Sequence, residues 1–283
     1  MPRVPANGIQ IHYQQAGQGP DLVLIHGLTG DLTTWYLHAM PELARQFRVT
    51  AYDLRGHGYS EMTASGYTSA HMAADLHGLL EALRIERAHL VGHSFGGTIA
   101  LHAAVLYPDR VASVLLVEPT IPALQRFVDL STWPYFEAAR TLFSERGLSI
   151  PEDKWSDLEY LVRETLRNPA PWGLRRETAR SGRRLQRLLD TTSAFKEAHE
   201  VAGLTMERMG EVRQPIAAIF GGASRFLQTA HPLQEALPAC RLVVIEGVAH
   251  LFVLTQPELL VAEVQKFLRD LGEGEAGEGN DGA

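Results

Sequence analysis

Cysteine is nearly absent from this sequence, since Cys240 is the single one among 283 residues. One thiol excludes an internal disulfide framework and fits a reducing compartment, so Cys240 is interpreted as a small packing residue. The chain also lacks an apolar run of about 18 residues for a membrane span, an apolar signal-peptide core after Met1, and the Cys/His or HExxH spacing of a metal site. We therefore expect a cytoplasmic protein with no membrane association, no metal and no cofactor.

An excess of positive charge is missing as well. The formal net charge is −7, and residues 272–283 hold four acidic and no basic residues, which leaves −3 on residues 1–271. This balance argues against nucleic acid as a partner. The hydrophobic share of 45% and the charged share of 21% are ordinary for a globular enzyme.

Short apolar runs rich in β-branched residues recur along the chain, and helical patterns such as Met72–Leu83 and Leu259–Leu271 separate most of them. The runs are Ile9–Tyr13, Leu22–His26, Val49–Asp53, His89–His93, Val111–Val117, Ile216–Gly221 and Leu242–Glu246. This alternation predicts an α/β fold with a mostly parallel central sheet flanked by helices. The first run precedes any helix, so we expect it to be an antiparallel edge strand.

The alternation stops between residues 121 and 214, where helical spacing continues without a convincing strand. We therefore divide the chain into a core formed by residues 1–120 and 215–271 and an inserted helical cap formed by residues 121–214. Residues 272–283 are rich in Gly and Glu and too polar to pack, so we expect an acidic, disordered tail.

A G-x-S-x-G pentad, Gly92–Gly96, follows the apolar run Ala88–Val91 and precedes a helical pattern. A strand, this pentad and then a helix form a nucleophile elbow, a sharp turn that presents one serine hydroxyl above a sheet. Side chains at Gly92 and Gly96 would collide with the neighbouring strand and helix. We therefore predict that Ser94 is a nucleophile.

A serine hydroxyl needs a base within hydrogen-bond reach, and His250 is the candidate. It follows the last predicted strand and precedes the terminal helix, at the carboxyl edge of the sheet where α/β proteins place their active sites. The alternative is a histidine that only packs in an apolar loop.

Acyl transfer also needs backbone N–H groups that point at the oxyanion of the tetrahedral intermediate. The N–H of Phe95, directly after the nucleophile, is one candidate donor. The second is the N–H of Leu28 in the loop His26–Gly30, which also lies at a strand end. We expect His26 to brace this loop.

Taken together, these segments resemble the α/β-hydrolase superfamily over the whole chain apart from the tail. Tyr52–Ser60 is similar to the family's loop after its third central strand, and Tyr107–Val111 to its link after the elbow helix. The resemblance implies that Asp53, Arg55 and His57 brace a loop and do not catalyse.

The resemblance also exposes a departure. The family usually places its triad acid in a G-x-x-D pattern after the cap, and here that segment is Gly221–Ser224, with no carboxylate. Glu118, at the end of the apolar run Val111–Val117, is the best substitute. A minority of the superfamily carries its acid there, and the Glu-Pro-Thr segment with its spacing from Ser94 resembles the zearalenone lactonases. The alternatives are a solvated Glu118, with Glu246 or Asp129 as the acid.

The predicted cap is rich in aromatic residues, and most of these are expected to pack helices onto the core. Trp133, Phe136 and Trp172 are our candidates for substrate contact, which favours an apolar or ring-bearing substrate. A stripe of arginines follows one helical face, and it indicates either a solvated face paired with local acids or an anionic ligand. The stripe consists of Arg176, Arg180, Arg183 and Arg187.

These residues predict a cofactor-independent serine hydrolase that cleaves a small carboxylic ester or lactone through Ser94, His250 and Glu118. A carbon–carbon bond hydrolase, an acyltransferase and a perhydrolase use the same triad and remain open, as does a slow-turnover ligand sensor. The sequence leaves the oligomeric state open.

Overall fold

The computed structural model describes residues 1–168 and 179–278, which contain a mixed sheet of eight strands. The strands are β1 (Arg3–Ala6), β2 (Ile9–Ala16), β3 (Asp21–Ile25), β4 (Arg48–Tyr52), β5 (Ala88–His93), β6 (Val111–Val117), β7 (Ile216–Gly221) and β8 (Arg241–Ile245). Their spatial order is β1-β2-β4-β3-β5-β6-β7-β8. Strands β3 to β8 pair in parallel, which confirms the predicted α/β class.

The prediction for the first run was wrong in one respect. Strand β2 is antiparallel to β4, as expected, but β2 is not the edge strand. Strand β1 pairs with the other side of β2 and forms the edge of the sheet. Pro5 in β1 lacks a backbone N–H, which obscures a strand pattern in the sequence. An edge strand tolerates proline because one side needs no ladder hydrogen bonds.

Helices cover both faces of the sheet. They are α1 (Thr33–Tyr36), α2 (Ala39–Leu43), α3 (Ser69–Ala82), α4 (Phe95–Leu106), α5 (Phe136–Glu145), α6 (Leu158–Arg167), α7 (Ala179–Thr191), α8 (Ala194–Glu197), α9 (Met206–Met209), α10 (Ala230–Ala236), α11 (Phe252–Thr255) and α12 (Pro257–Glu278). Helices α3 and α4 pack on one face, while α2 and α12 pack on the other. In the part of the chain that the structure describes, no helix is both long and apolar enough to cross a membrane.

Successive side chains of the central strands pack alternately into two separate hydrophobic clusters, one on each face of the sheet. In β3, Val23 and Ile25 pack with α3 and α4, whereas Leu22 and Leu24 pack with α2 and α12. Side chains in a strand point alternately to opposite faces, so a strand buried on both faces is apolar throughout. Each such side chain contributes roughly 1.5–3 kcal/mol of hydrophobic stabilisation. The sheet is therefore a rigid support for the loops at its carboxyl edge.

Between β6 and β7, the described residues form α5 to α9 and short 3₁₀ turns, with no strand. We call this stretch, residues 118–215, the β6–β7 segment. Its helix α7 is bound to the core by Arg184, which donates hydrogen bonds to the carbonyl oxygens of Gly56 and Ser60.

Helix α12 continues to Glu278, past Leu271, where we expected the packed chain to end. Extending an existing helix adds one backbone hydrogen bond per residue without a new nucleation step, so a polar continuation needs no packing of its own. The rest of the predicted tail, residues 279–283, lies outside the described residues.

Candidate active site

Ser94 lies at the sharp turn between β5 and α4, with φ 55° and ψ −122°. A non-glycine residue at positive φ is strained, and such strain persists only where the surroundings hold it. Here the Ser94 N–H donates to the Val117 carbonyl oxygen at 2.9 Å, and the Ser94 carbonyl oxygen accepts from the Gly97 N–H at 3.0 Å. Both neighbouring elements therefore hold the elbow in place.

The two outer glycines of the pentad are required by close packing. A Cβ at Gly92 would lie 2.2 Å from the carbonyl oxygen of Gly96, at the start of α4. A Cβ at Gly96 would lie 2.3 Å from the carbonyl oxygen of Ile25, in β3. Both distances are impossible for a side chain, so the predicted collisions with helix and strand are confirmed.

His250 lies on the loop between β8 and α11, and its Nε2 is 3.1 Å from Ser94 Oγ. The two residues are 156 positions apart in the chain and meet at the carboxyl edge of the sheet. Two contacts hold the histidine: His93 Nε2 lies 2.9 Å from its carbonyl oxygen, and the Phe226 ring is 4.7 Å from its imidazole. The geometry is that of a base beside a nucleophile.

Glu118 directly follows β6, and its side chain is 0% exposed. The backbone has φ 52°, and its N–H donates to the Ile219 carbonyl oxygen at 2.8 Å. One carboxylate oxygen, Oε2, lies 3.1 Å from His250 Nδ1. Because a carboxylate only accepts, His250 carries its proton on Nδ1 and presents the lone pair of Nε2 to the Ser94 hydroxyl.

The Glu118 carboxylate has two further partners. The Gly221 N–H donates to Oε1, and the Ser224 hydroxyl donates to Oε2, the oxygen that also faces His250. Ser224 stands where the family usually keeps its acid. It supplies no charge, but it holds the carboxylate that does. Sequence reasoning missed this role, because the absence of an acid at position 224 suggested only a loss.

The alternatives for the acid are not supported by the geometry. A solvated strand-end carboxylate is excluded, since Glu118 is fully buried. Glu246 and Asp129 are both exposed, and within the described ranges neither is hydrogen-bonded to His250. Asp129 instead accepts hydrogen bonds from Ser131, which lower the pKa of its carboxyl.

The loop His26–Gly30 lies against the elbow. A Cβ at Gly27 would be 3.0 Å from Ser94 Cβ, so the loop backbone passes directly beside the serine. Leu28 and Phe95 are both buried, and neither N–H donates to an acceptor among the described residues. Two unused backbone donors beside a serine hydroxyl form the arrangement that stabilises an oxyanion.

His26 sets the direction of the peptide between Gly27 and Leu28. Its Nε2 accepts the Leu54 N–H at 3.0 Å, so the proton lies on Nδ1, which donates to the Gly27 carbonyl oxygen at 2.8 Å. The peptide is trans, and the Leu28 N–H therefore points away from that carbonyl. The His26 ring thus braces the loop, as we predicted.

The loop after β4 also has the bracing role that the resemblance implied. Asp53 accepts hydrogen bonds from the N–H groups of Leu32 and Tyr59, each at 2.8 Å. Arg55 forms a bidentate ion pair with the carboxylate of Asp75. His57 Nε2 lies 2.6 Å from the Leu28 carbonyl oxygen, and burial lowers the pKa of His57 to about 4.

The candidate substrate residues lie in the β6–β7 segment. The indole N–H of Trp133 donates to the Ala223 carbonyl oxygen at 3.2 Å, next to Ser224. The Phe136 ring packs edge-on against Trp155 at 5.4 Å. Both candidates are half-buried. Trp172, the third candidate, lies outside the described residues.

His93, which contacts the loop that carries His250, is buried, and desolvation lowers its pKa from 6.5 to about 3, with the charge of His250 adding to the effect. The unfolded chain therefore binds a proton more readily than the folded chain below about pH 6.5, and stability falls as the pH drops. When the pH falls from 7 to 5, we expect His93 to lower the free energy of unfolding by about 2 kcal/mol.

Urea denaturation at both pH values measures this effect. A His93→Gln variant keeps an N–H donor near the His250 carbonyl but cannot titrate, so its loss of stability between pH 7 and 5 should be smaller by about that amount. His231→Gln is the matched control, because the His231 side chain is 83% exposed. If both variants have the same pH dependence as the parent, His93 is not a buried neutral base.

A model of the alpha/beta hydrolase fold family matches residues 20–257. The chain therefore belongs to the alpha/beta hydrolase fold family, and the prediction of an α/β-hydrolase is confirmed. One relative is the dihydrolipoyllysine-residue acetyltransferase component of the acetoin cleaving system of Cupriavidus necator, which is 30% identical to this chain over 268 residues. The aligned residues make up 93% of this chain and 67% of that protein. It is 43% identical over 115 residues to the 2-hydroxymuconate semialdehyde hydrolase of Pseudomonas sp. strain CF600, which is 40% of this chain and 41% of that protein.

Solved structures share the fold at lower identity. The enol-lactonase from Burkholderia xenovorans LB400 superposes with a TM-score of 0.66 and 24% identity, covering 95% of this chain and all of that chain. A thermophilic esterase from Thermogutta terrifontis gives 0.67 and 23%, covering 95% of this chain and 99% of that chain. At these identities the likeness concerns the fold.

Proposed function

We propose that this chain is a cofactor-independent serine hydrolase that cleaves a small carboxylic ester or lactone through a Ser94–His250–Glu118 triad. The observation that supports it best is the continuous hydrogen-bonded chain from Ser94 Oγ through His250 to Glu118, with both links at 3.1 Å. The strained elbow at Ser94 and the unused donors of Leu28 and Phe95 add the other parts that acyl transfer needs.

In the first half-reaction, His250 Nε2 takes the hydroxyl proton as Ser94 Oγ attacks the substrate carbonyl carbon. The N–H groups of Leu28 and Phe95 stabilise the resulting oxyanion, and Glu118 stabilises the imidazolium. The carbon–oxygen bond to the leaving group then breaks. His250 gives its proton to the departing alkoxide, so an ester releases an alcohol, whereas a lactone keeps the new hydroxyl on the acyl chain that remains on Ser94.

In the second half-reaction, water attacks the acyl-enzyme as His250 accepts one of its protons. The same two N–H groups stabilise the second oxyanion. Collapse of this intermediate breaks the bond to Ser94 Oγ, and His250 gives the proton to the serine. A carboxylic acid is released, and the triad is restored without any redox step or metal.

The β6–β7 segment, with residues 121–214 as its predicted cap, is proposed to cover the site. The Trp133 indole donates to Ala223, and Arg225 donates to the Trp155 carbonyl oxygen at 3.0 Å, so two hydrogen bonds tie the segment to the loop that carries Ser224. The aromatic set of Phe136, Phe143 and Trp155 nearby favours an apolar or ring-bearing substrate.

A carbon–carbon bond hydrolase is the second candidate, because one relative, 43% identical over 115 residues, is a 2-hydroxymuconate semialdehyde hydrolase. The two candidates differ in the bond that breaks after oxyanion formation.

A substrate panel tests the proposal directly. We expect steady p-nitrophenol release from p-nitrophenyl esters of short acids, and acid release from lactones, together with covalent labelling of Ser94 by an alkyl phosphonate. Turnover of a vinylogous diketone substrate far above that of every ester would favour the carbon–carbon candidate. A single stoichiometric burst without turnover would favour the ligand sensor instead.

His26 allows a test of the oxyanion donor at Leu28, because its ring holds the Gly27 carbonyl. His26→Leu removes the Nδ1 donor, and we expect kcat to fall about 10²–10³-fold with little change in KM, the usual cost of one oxyanion donor. Asparagine places an amide N–H near the Nδ1 position, so His26→Asn should recover at least tenfold of the loss.

The control for this experiment is His102→Leu, which removes another buried histidine, one hydrogen-bonded to Ser69 at 2.9 Å. It should lower the melting temperature and leave kcat within about threefold. Equal losses of kcat in His26→Leu and His26→Asn would show that the peptide direction does not depend on the Nδ1 donor.

A further inference from the structure

A cavity of about 370 Å³ lies between helix α7, the loop after β4 and the strands β1 and β2. It is separate from the proposed catalytic site, since Ser94, His250 and Glu118 do not line it. Four arginines do line it, and they come from two distant parts of the chain. They are Arg3, Arg180, Arg184 and Arg187.

Among the described residues, none is a carboxylate partner of these four arginines. Within the part of the chain that the structure describes, none of them lies within 4.0 Å of an Asp or Glu oxygen. One carboxylate, Glu61, also lines the cavity, but its Oε2 accepts the Gln10 N–H at 3.0 Å. The described residues that line the cavity therefore carry four positive charges and one negative charge, and no ion pair joins them.

Two of the four arginines are held in place by other contacts. Arg184 donates to the carbonyl oxygens of Gly56 and Ser60. Burial and then the neighbouring charge of Arg187 lower the pKa of Arg184. Arg180 donates to the Tyr59 hydroxyl at 2.7 Å, and its guanidinium lies 4.1 Å above the Tyr59 ring centre. Like charges fixed near one another repel, and a bound anion would offset that repulsion.

The arginines of the predicted stripe differ in whether they line this cavity. Arg180 and Arg187 line the cavity, Arg183 does not, and Arg176 lies outside the described residues. Arg180 and Arg187 are exposed, and a solvated face paired with local acids would place them next to carboxylates, which the described residues do not. The observed arrangement instead favours the anionic-ligand alternative for Arg180 and Arg187.

We propose that this cavity binds a small, multiply charged anion that carries a phosphoryl or pyrophosphoryl group. The planar guanidinium fork matches phosphate oxygens in pairs, and several arginines around one cavity suit a group with more than one negative charge. The volume is that of a small-molecule site. The binding is independent of ester hydrolysis, because it uses none of the triad residues.

Titration of the full-length protein with inorganic pyrophosphate at about 150 mM NaCl tests the proposal by calorimetry and by thermal melting. We expect saturable binding and a rise in melting temperature. The double variant Arg180→Gln/Arg187→Gln should bind at least tenfold more weakly. Arg183→Gln, on the same helix but away from the cavity, is the matched control and should bind within twofold of the parent.

Ser94→Ala should bind pyrophosphate as the parent does, which keeps this test separate from the test of the hydrolase. Equal weakening by Arg183→Gln and by the double variant would show a diffuse basic face and overturn the proposal. A melting shift that added NaCl reproduces at equal ionic strength would overturn it too. So would sedimentation with anionic phospholipid vesicles without any pyrophosphate binding, since the partner would then be a membrane surface.

Discussion

Replacing Ser94 with alanine is expected to lower kcat by about four to six orders of magnitude. The substitution removes the proposed nucleophile and leaves His250 Nε2 without the hydroxyl that lies 3.1 Å away. The backbone hydrogen bonds that hold the elbow do not involve the side chain, so the fold should persist. Steady-state kinetics and circular dichroism on the same preparation measure both effects.

Ser224→Ala is the matched control, because it removes another hydroxyl of the same site. Ser224 donates to Glu118 and does not contact the reacting atoms, so we expect a loss of only about tenfold. Comparable losses in the two variants would mean that the carboxylate arrangement, and not a nucleophile, limits turnover. Activity of Ser94→Ala within tenfold of the parent would end the serine-hydrolase proposal.

Replacing Glu118 with glutamine should lower kcat by about 10⁴-fold with native circular dichroism. The amide can still accept a hydrogen bond from His250 Nδ1, but it carries no charge to stabilise the imidazolium. It also introduces N–H donors where the Gly221 N–H and the Ser224 hydroxyl already donate. The variant therefore lacks the negative charge of Glu118, and the hydrogen bond that orients the His250 ring is disturbed.

Position 224 offers a rescue of this variant. The Ser224 hydroxyl reaches the same Glu118 oxygen that contacts His250, so a carboxylate at position 224 should come close to Nδ1. We expect Glu118→Gln/Ser224→Asp to recover at least tenfold over Glu118→Gln alone. Ser224→Asp by itself places two carboxylates together and should shift the pH profile, because one of them then holds a proton. Activity of Glu118→Gln within threefold of the parent would move the acid elsewhere.

The strands at the centre of the sheet were predictable, and the edge was not. Val111–Val117 and Ile216–Gly221 match β6 and β7 residue for residue, because a strand buried on both faces leaves a continuous apolar run. Strand β1, with Pro5 and exposed residues, leaves no such pattern. Its position at the edge depends on pairing with β2, a contact between segments that local patterns do not report.

Within the site, local motifs predicted Ser94 and His250 because Ser94 directly follows β5 and His250 lies in the loop after β8, at the same edge of a parallel sheet. The choice of Glu118 over Glu246 and Asp129 depended on a resemblance, since all three are acidic residues near strand or turn ends. Burial separates them: Glu118 is enclosed by groups from β6, β7 and the Ser224 loop, and the other two face solvent.

The amino-acid sequence by itself determined the α/β class and the elbow, because strand periodicity and a G-x-S-x-G turn are local properties of the chain. Only the tertiary structure decided that Ser224 donates to the Glu118 carboxylate, that His26 contacts both the Leu54 N–H and the Gly27 carbonyl and that Arg180 and Arg187 line a cavity with Arg3. Each of these depends on distances between segments far apart in the chain. Packing sets those distances, and no local pattern encodes them.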